Sequence, residues 1–213
     1  MEICYWSDYA CPFCYIGETN LKAALRELAI DCRPEMRSFE LSPDGPRTCP
    51  GPTKELVARK YGFTDEQAEA SMQRINEMAA DAGIPFDFGK TRYTSTLDAH
   101  RLTKYAQTLG GGLAEALTER LFHAGFCACA ELADPEVLLS AALEAGLEEA
   151  PVREVLASDE FTDAVRSDEQ KAHAMGVTGV PFFVIDGKYA IPGAMSKPGI
   201  VGVLQKILNR ALG

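Results

Sequence analysis

The chain lacks any apolar run of membrane-spanning length, which removes the first reason to look for a transmembrane helix. It is also short of positive charge: 21 Lys and Arg stand against 31 Asp and Glu, giving a formal net charge of −10 and a pI near 4.8. With no cationic excess to meet phosphates, nucleic acid is not expected as a partner, and neither is a membrane. No internal repeat or low-complexity segment stands out, so a solenoid is excluded. Met1 is followed at once by strand-like sequence rather than a basic and apolar leader, and a cytoplasmic location is expected.

What is present is 213 residues, enough for one domain with a substantial core, or one domain carrying a large insertion. Seven cysteines (Cys4, Cys11, Cys14, Cys32, Cys49, Cys127 and Cys129) are an odd number, scattered over a chain too large to need covalent staples. Most are expected to be free thiols.

Two of them stand apart. Cys11-Pro12-Phe13-Cys14 follows a strand-like stretch, Glu2 to Trp6, and a turn at Ser7 and Asp8. It precedes a helical pattern with Leu21, Leu25 and Leu28, reaching about Ala29. Pro12 suits the first helical turn, where a missing N–H costs nothing. Cys11 is thus placed where unpaired amides and the positive end of the helix dipole stabilise a thiolate. Cys11 is expected to be exposed and to attack; Cys14, one turn further in and more covered, is expected to resolve. A CxxC pair can also be half a zinc site or two inert thiols, but strand, turn, proline and helix in register favour redox chemistry.

Further along, Asp31 to Leu41 alternates like a second strand, parallel to the first across the helix, and Ser42 to Pro52 is a Pro- and Gly-dense loop. Roughly a hundred helical residues are expected to follow, from periodicity alone. Thr53 is expected to cap the first helix, with Leu56 and Val57 inward. Thr64 and Gln67 form a capping box before Ala68, Met72, Ile75 and Ala79; Thr96 and Asp134 cap later helices. Ser158 is expected to cap the helix through Phe161 and Ala172. Val180 to Ile185, Asp186-Gly187 and Lys188 to Ile191 read as a hairpin, followed by a last helix from Ser196. The resulting order is a mixed four-stranded sheet with helices on both faces.

Pro181, opening a strand between Val180 and Phe182, is expected to be cis and to hold the Val180 backbone beside Cys11, where a substrate strand could pair.

These residues carry a resemblance. DYACPFCYIG around Cys11, RSFELSPDGP, TLDAHRL from Thr96 to Leu102, and GVTGVPFFVIDGKYAIPGA from Gly176 to Ala194 are similar to the DsbA-like thioredoxin-fold oxidoreductases, and within them to the FrnE-like branch. The resemblance implies an α/β thioredoxin fold with a large all-helical insertion, residues 1–45 and 158–213 forming the first and 46–157 the second. It implies Cys11 as nucleophile, Cys14 as resolving thiol and a cis Pro181 beneath them, acting on protein disulfides. Pro12, Phe13, Val180, Pro181 and His100 are the expected substrate contacts. No metal is expected, and no cofactor beyond the redox-active disulfide, with glutathione as a candidate thiol partner. The sequence does not give the oligomeric state.

The same superfamily includes kappa-type glutathione transferases and 2-hydroxychromene-2-carboxylate isomerases, which commonly lack the second cysteine. A glutathione-dependent small-molecule isomerase or polyketide-tailoring factor is therefore the alternative. Phe13 stands where many relatives have Trp or His and cannot supply a donor to the thiolate, so the disulfide is expected to be less oxidising than in relatives with His. Ser95 stands where Asn is expected. His100 reads either as a group projecting over Cys11 or, as is commoner for a helical histidine, as a packing or surface residue, and Trp6 and Phe13 either as an apolar rim near the sulfurs or as core. Cys127 and Cys129, with His123 one turn earlier, are expected to be unpaired thiols rather than a strained second pair or a partial metal site.

Overall fold

The β-branched and aromatic run at the amino end forms a central strand, β1 (Ile3–Ser7), of a four-stranded sheet ordered β2-β1-β3-β4. The computed structural model describes residues 1–211. Helix α1 (Pro12–Glu27) carries the chain across to β2 (Glu35–Ser38), which pairs parallel with β1. The hairpin of β3 (Phe182–Ile185) and β4 (Tyr189–Pro192) adds two antiparallel strands on the other side. Asp186 and Gly187 both take positive φ there, and the Lys188 N–H closes the turn onto the Ile185 carbonyl.

Alternation along β1 sets the layers. Ile3 and Tyr5 face a core shared with α1 and the last helix, α9 (Lys197–Ala211), and Tyr5 stacks on Phe183 with ring centroids 5.5 Å apart. Trp6 faces the opposite side, with Phe39, Ala172 and Val177 beneath α8 (Thr162–Ala174). Its indole N–H donates to the Asp168 carbonyl at 2.8 Å. Trp6 therefore belongs to the core behind the sheet and forms no rim near the sulfurs.

Between β2 and α8 lie α2 (Thr53–Tyr61), α3 (Asp65–Asp81), α4 (Leu97–Leu109), α5 (Leu113–Phe122), α6 (Pro135–Glu144) and α7 (Glu149–Leu156). One hydrophobic core runs from the sheet into α3 to α7 without a break. The expected capping box at Thr64 and Gln67 is present, and Ala68, Met72, Ile75 and Ala79 are the buried face of α3. Two other threonines put their hydroxyls elsewhere. Thr53 donates to the Thr91 carbonyl and does not cap α2, while Thr96, at the N-cap position of α4, donates its hydroxyl to Asp8. Ser158 does not start α8, because Phe161 takes φ of 66° and the helix begins after it. Periodicity also misses α7 and a π-helical turn from His123 to Cys127 that follows α5.

Gly17 marks where α1 comes closest to the sheet. A Cβ there would lie 3.0 Å from Pro181 Cγ and 3.2 Å from Phe183 Cζ. Gly17→Val is expected to destabilise the protein by about 2 kcal/mol through overpacking, read as a lower urea midpoint with an unchanged slope.

Candidate active site

Cys11 sits at the N-cap of α1 with extended backbone, and Pro12 occupies the first helical position. The Cys11 N–H donates to the Asp8 carbonyl and the Cys14 N–H to the Cys11 carbonyl, each at 3.1 Å, so a tight turn delivers the chain into the helix. The two thiols are neighbours, and both are free in this structure.

Their surroundings differ. Cys14 is fully buried, and burial first, with Cys11 beside it, pushes its thiol well above the usual range. The Asp8 N–H at 3.5 Å partly offsets this. Cys11 borders a cavity of about 610 Å³ that Cys14 does not reach. The expectation of an openly exposed Cys11 is corrected: the residue is only 4 % accessible and is approached through the cavity, under the helices between β2 and α8.

Pro12, Phe13 and Val180 border the same cavity, with Phe13 partly exposed. The Cys11 thiol points to the Val180 carbonyl at 3.6 Å. The Val180–Pro181 peptide bond is cis, and the Pro181 carbonyl accepts from the Gly193 N–H at 2.8 Å. His100 does not project over Cys11. Its ring is fully buried, packs on Tyr9 at 4.9 Å and lies outside the cavity wall, because α4 turns it toward a carboxylate.

That carboxylate is Asp8, which the sequence marks only as a turn residue. Its Oδ1 accepts from the Ala10 N–H at 3.1 Å, the Thr96 hydroxyl at 2.8 Å and His100 Nε2 at 3.4 Å, and its Oδ2 accepts from the Leu41 N–H at 2.7 Å. Burial pushes the Asp8 carboxyl up, but the bonds from His100, Leu41 and Ala10 outweigh it and hold the group below the usual range. One side chain thus ties the turn before Cys11 to the exit of β2 and the start of α4. The signal available in sequence was the Asx-turn spacing of Asp8 and Ala10. The TLDAHRL segment has a physical reading here too. Thr96 and His100, one turn apart, both meet Asp8, while Asp98 and Arg101 pair at 2.8 Å and fix α4 to the Glu160 carbonyl.

Burial pushes the Cys127 thiol up, with Tyr15 beside it opposing, and Cys129 points to the Phe126 carbonyl at 3.7 Å. Among the described residues, no group of three or more His, Cys, Asp and Glu side chains is placed to hold a metal. No helix among them is long and apolar enough to cross a membrane.

A thioredoxin-like sheet with a neighbouring cysteine pair at the start of its first helix, facing a cis proline, defines the class to which this protein is to be compared. The chain belongs to the DSBA-like thioredoxin domain family, whose sequence profile matches residues 2–205. It is similar to a solved Streptomyces coelicolor protein described as a probable DsbA oxidoreductase. The two are 34% identical, with 98% of this chain and 90% of that one covered at a TM-score of 0.90. YwbO of Bacillus subtilis (strain 168) is 28% identical over 200 residues, covering 92% of each chain. The cytosolic disulfide reductase DsbM from Pseudomonas aeruginosa shares the fold at 18% identity and a TM-score of 0.67, with 98% of this chain and 99% of that one covered.

Proposed function

We propose that this protein is a thiol–disulfide oxidoreductase in which Cys11 attacks and Cys14 resolves. The observation that carries the reading is the asymmetry between two adjacent sulfurs: one opens on a cavity, and the other is sealed behind it with its proton held. The Cys11 thiolate attacks one sulfur of a substrate disulfide, the S–S bond breaks and one thiolate leaves. Cys14 then gives up its proton and attacks the Cys11 sulfur, releasing the second thiol and closing the Cys11–Cys14 disulfide. Two electrons pass from the dithiol to the substrate, and an external thiol such as glutathione restores the pair. Run backwards, the same steps oxidise a substrate dithiol.

Pro12 and Phe13 form the wall beside the attacking sulfur and Val180 the wall opposite, where the backbone of a protein substrate would pair as an added strand, with the buried cis Pro181 behind Val180 and outside the cavity lining. His100 acts at one remove, through Asp8. The RSFELSPDGP and TLDAHRL segments favour the FrnE-like branch. The protein after dithiothreitol treatment and desalting is expected to reduce insulin with one disulfide cleaved per chain, followed by turbidity. Absence of reduction of both insulin and hydroxyethyl disulfide, with the Cys11 and Cys14 thiols still titratable, would overturn the reading. An isomerase on this fold would instead turn over its substrate without Cys14.

A further inference from the structure

The cavity beside Cys11 is unusual for this molecule in both packing and charge. In α2, Thr53 is the buried residue, and the apolar pair Leu56 and Val57 faces the cavity instead of a protein core. Four of the chain's exposed large hydrophobic side chains, Phe13, Leu41, Tyr61 and Phe63, border the same space, and the Tyr61 and Phe63 rings stack at 5.5 Å. A helix whose apolar stripe meets a void of about 610 Å³, in the ~300–1,000 Å³ range of small-molecule sites, lacks the partner that would complete its packing.

Charge narrows what that partner is. The chain carries 31 carboxylate side chains against 21 Lys and Arg, yet no Asp or Glu borders the cavity, while Arg59, Lys60 and Arg92 do. Arg92 is held by Glu131 at 2.8 Å. Among the described residues, Arg59 and Lys60 have no carboxylate partner, and Lys60 lies 5.9 Å from the Tyr61 ring centroid. Basic residues in a last helical turn favour the helix dipole, which explains their sign but not the exclusion of every carboxylate from the wall.

Resting on the redox reading above, we propose that the cavity selects a small disulfide with an apolar, ring-sized body and an acidic group. The body lies against Leu56, Val57, Phe13 and Tyr61, Arg59 and Lys60 take the anion, and one substrate sulfur meets Cys11. The Cys11 thiolate displaces one arylthiolate to give a mixed disulfide; Cys14 then attacks the Cys11 sulfur, the second arylthiolate leaves and the Cys11–Cys14 disulfide forms. Dithiothreitol supplies the two electrons for the next cycle. The recognition combines stacking on aromatic walls with charge pairing at the rim.

The test compares kcat/KM for dithiodibenzoate, its dimethyl ester and hydroxyethyl disulfide in the whole protein. Wild type is expected to prefer the diacid over the ester. In the double variant Arg59→Gln, Lys60→Gln, at two exposed positions, that preference falls about tenfold, the size expected of one or two ionic contacts at a cavity rim. Taking the ratio of the two aryl substrates within each protein cancels their different intrinsic reactivity. The charge-retaining variant Arg59→Lys, Lys60→Arg keeps the preference. Hydroxyethyl disulfide reports the redox centre by itself. If it is reduced while the diacid and ester are equal, or their ratio is unchanged in the double variant, the proposal fails and the redox reading stands. If no disulfide is reduced, both fail.

Discussion

Cys11→Ser is expected to lower disulfide reduction by at least roughly 10³-fold, because it removes the sulfur that opens on the cavity and leaves one that a substrate cannot reach. Cys14→Ser is expected to fail differently. Attack by Cys11 remains, so a substrate disulfide forms a stable mixed disulfide on Cys11, visible as a mass increase of one substrate half and released by dithiothreitol. The two variants share a loss of turnover but differ in what is trapped, which separates a nucleophile from a resolving thiol. Neither change is expected to unfold the protein, since Ser nearly matches Cys in volume. Retained turnover in Cys11→Ser would assign the chemistry elsewhere.

Asp8→Ala is expected to cost about 3 kcal/mol of stability, read as a lower urea midpoint, because it leaves a buried His100 and a buried Thr96 hydroxyl without their shared acceptor. Asp8→Asn keeps the size and removes the charge, which makes the loss pH-dependent. The Asp8 carboxyl sits below its ordinary value of 3.8 in the folded protein, so its charge contributes stability that is fully present above that value and is lost as pH falls through the folded value. The gap in unfolding free energy between wild type and Asp8→Asn is therefore expected to be constant near neutrality and to narrow below about pH 4. Glu40, whose carboxyl burial pushes up against the opposing effect of His100 and Arg166, is present in both proteins and largely cancels in the comparison. A gap that widens on acidification would contradict the assignment of the Asp8 charge as stabilising.

What the sequence revealed follows from locality. The CxxC turn, Pro12, the Thr64 and Gln67 box and the Asp186-Gly187 hairpin are each set by a few adjacent residues, and all are present. The parallel pairing of β2 with β1 and the antiparallel pairing of β3 with β4 followed too, because a crossover helix and a two-residue turn each fix the direction of the next strand. Asp8 was hidden for the opposite reason. The bonds that make it a hub reach residues 33, 88 and 92 positions away, and no pattern within a turn or helix announces them. His100 and Trp6 were legible as residues worth noticing but not in direction, since a helix or strand period says which residues share a face and not what that face meets. Leu56 and Val57 read as a core stripe and face a cavity, a distinction periodicity cannot make. Helix α7 was lost because it is eight residues long with Pro151 in its first turn, where proline is tolerated but reads as a breaker.

Brief alkylation of the reduced, folded protein with iodoacetamide, followed by peptide mass spectrometry, compares the two sulfurs directly. Cys11 is expected to be labelled at least about tenfold faster than Cys14, with the difference erased in denaturant. Equal labelling in the folded protein, or Cys14 labelled first, would contradict a pair in which one sulfur meets the substrate and the other waits behind it.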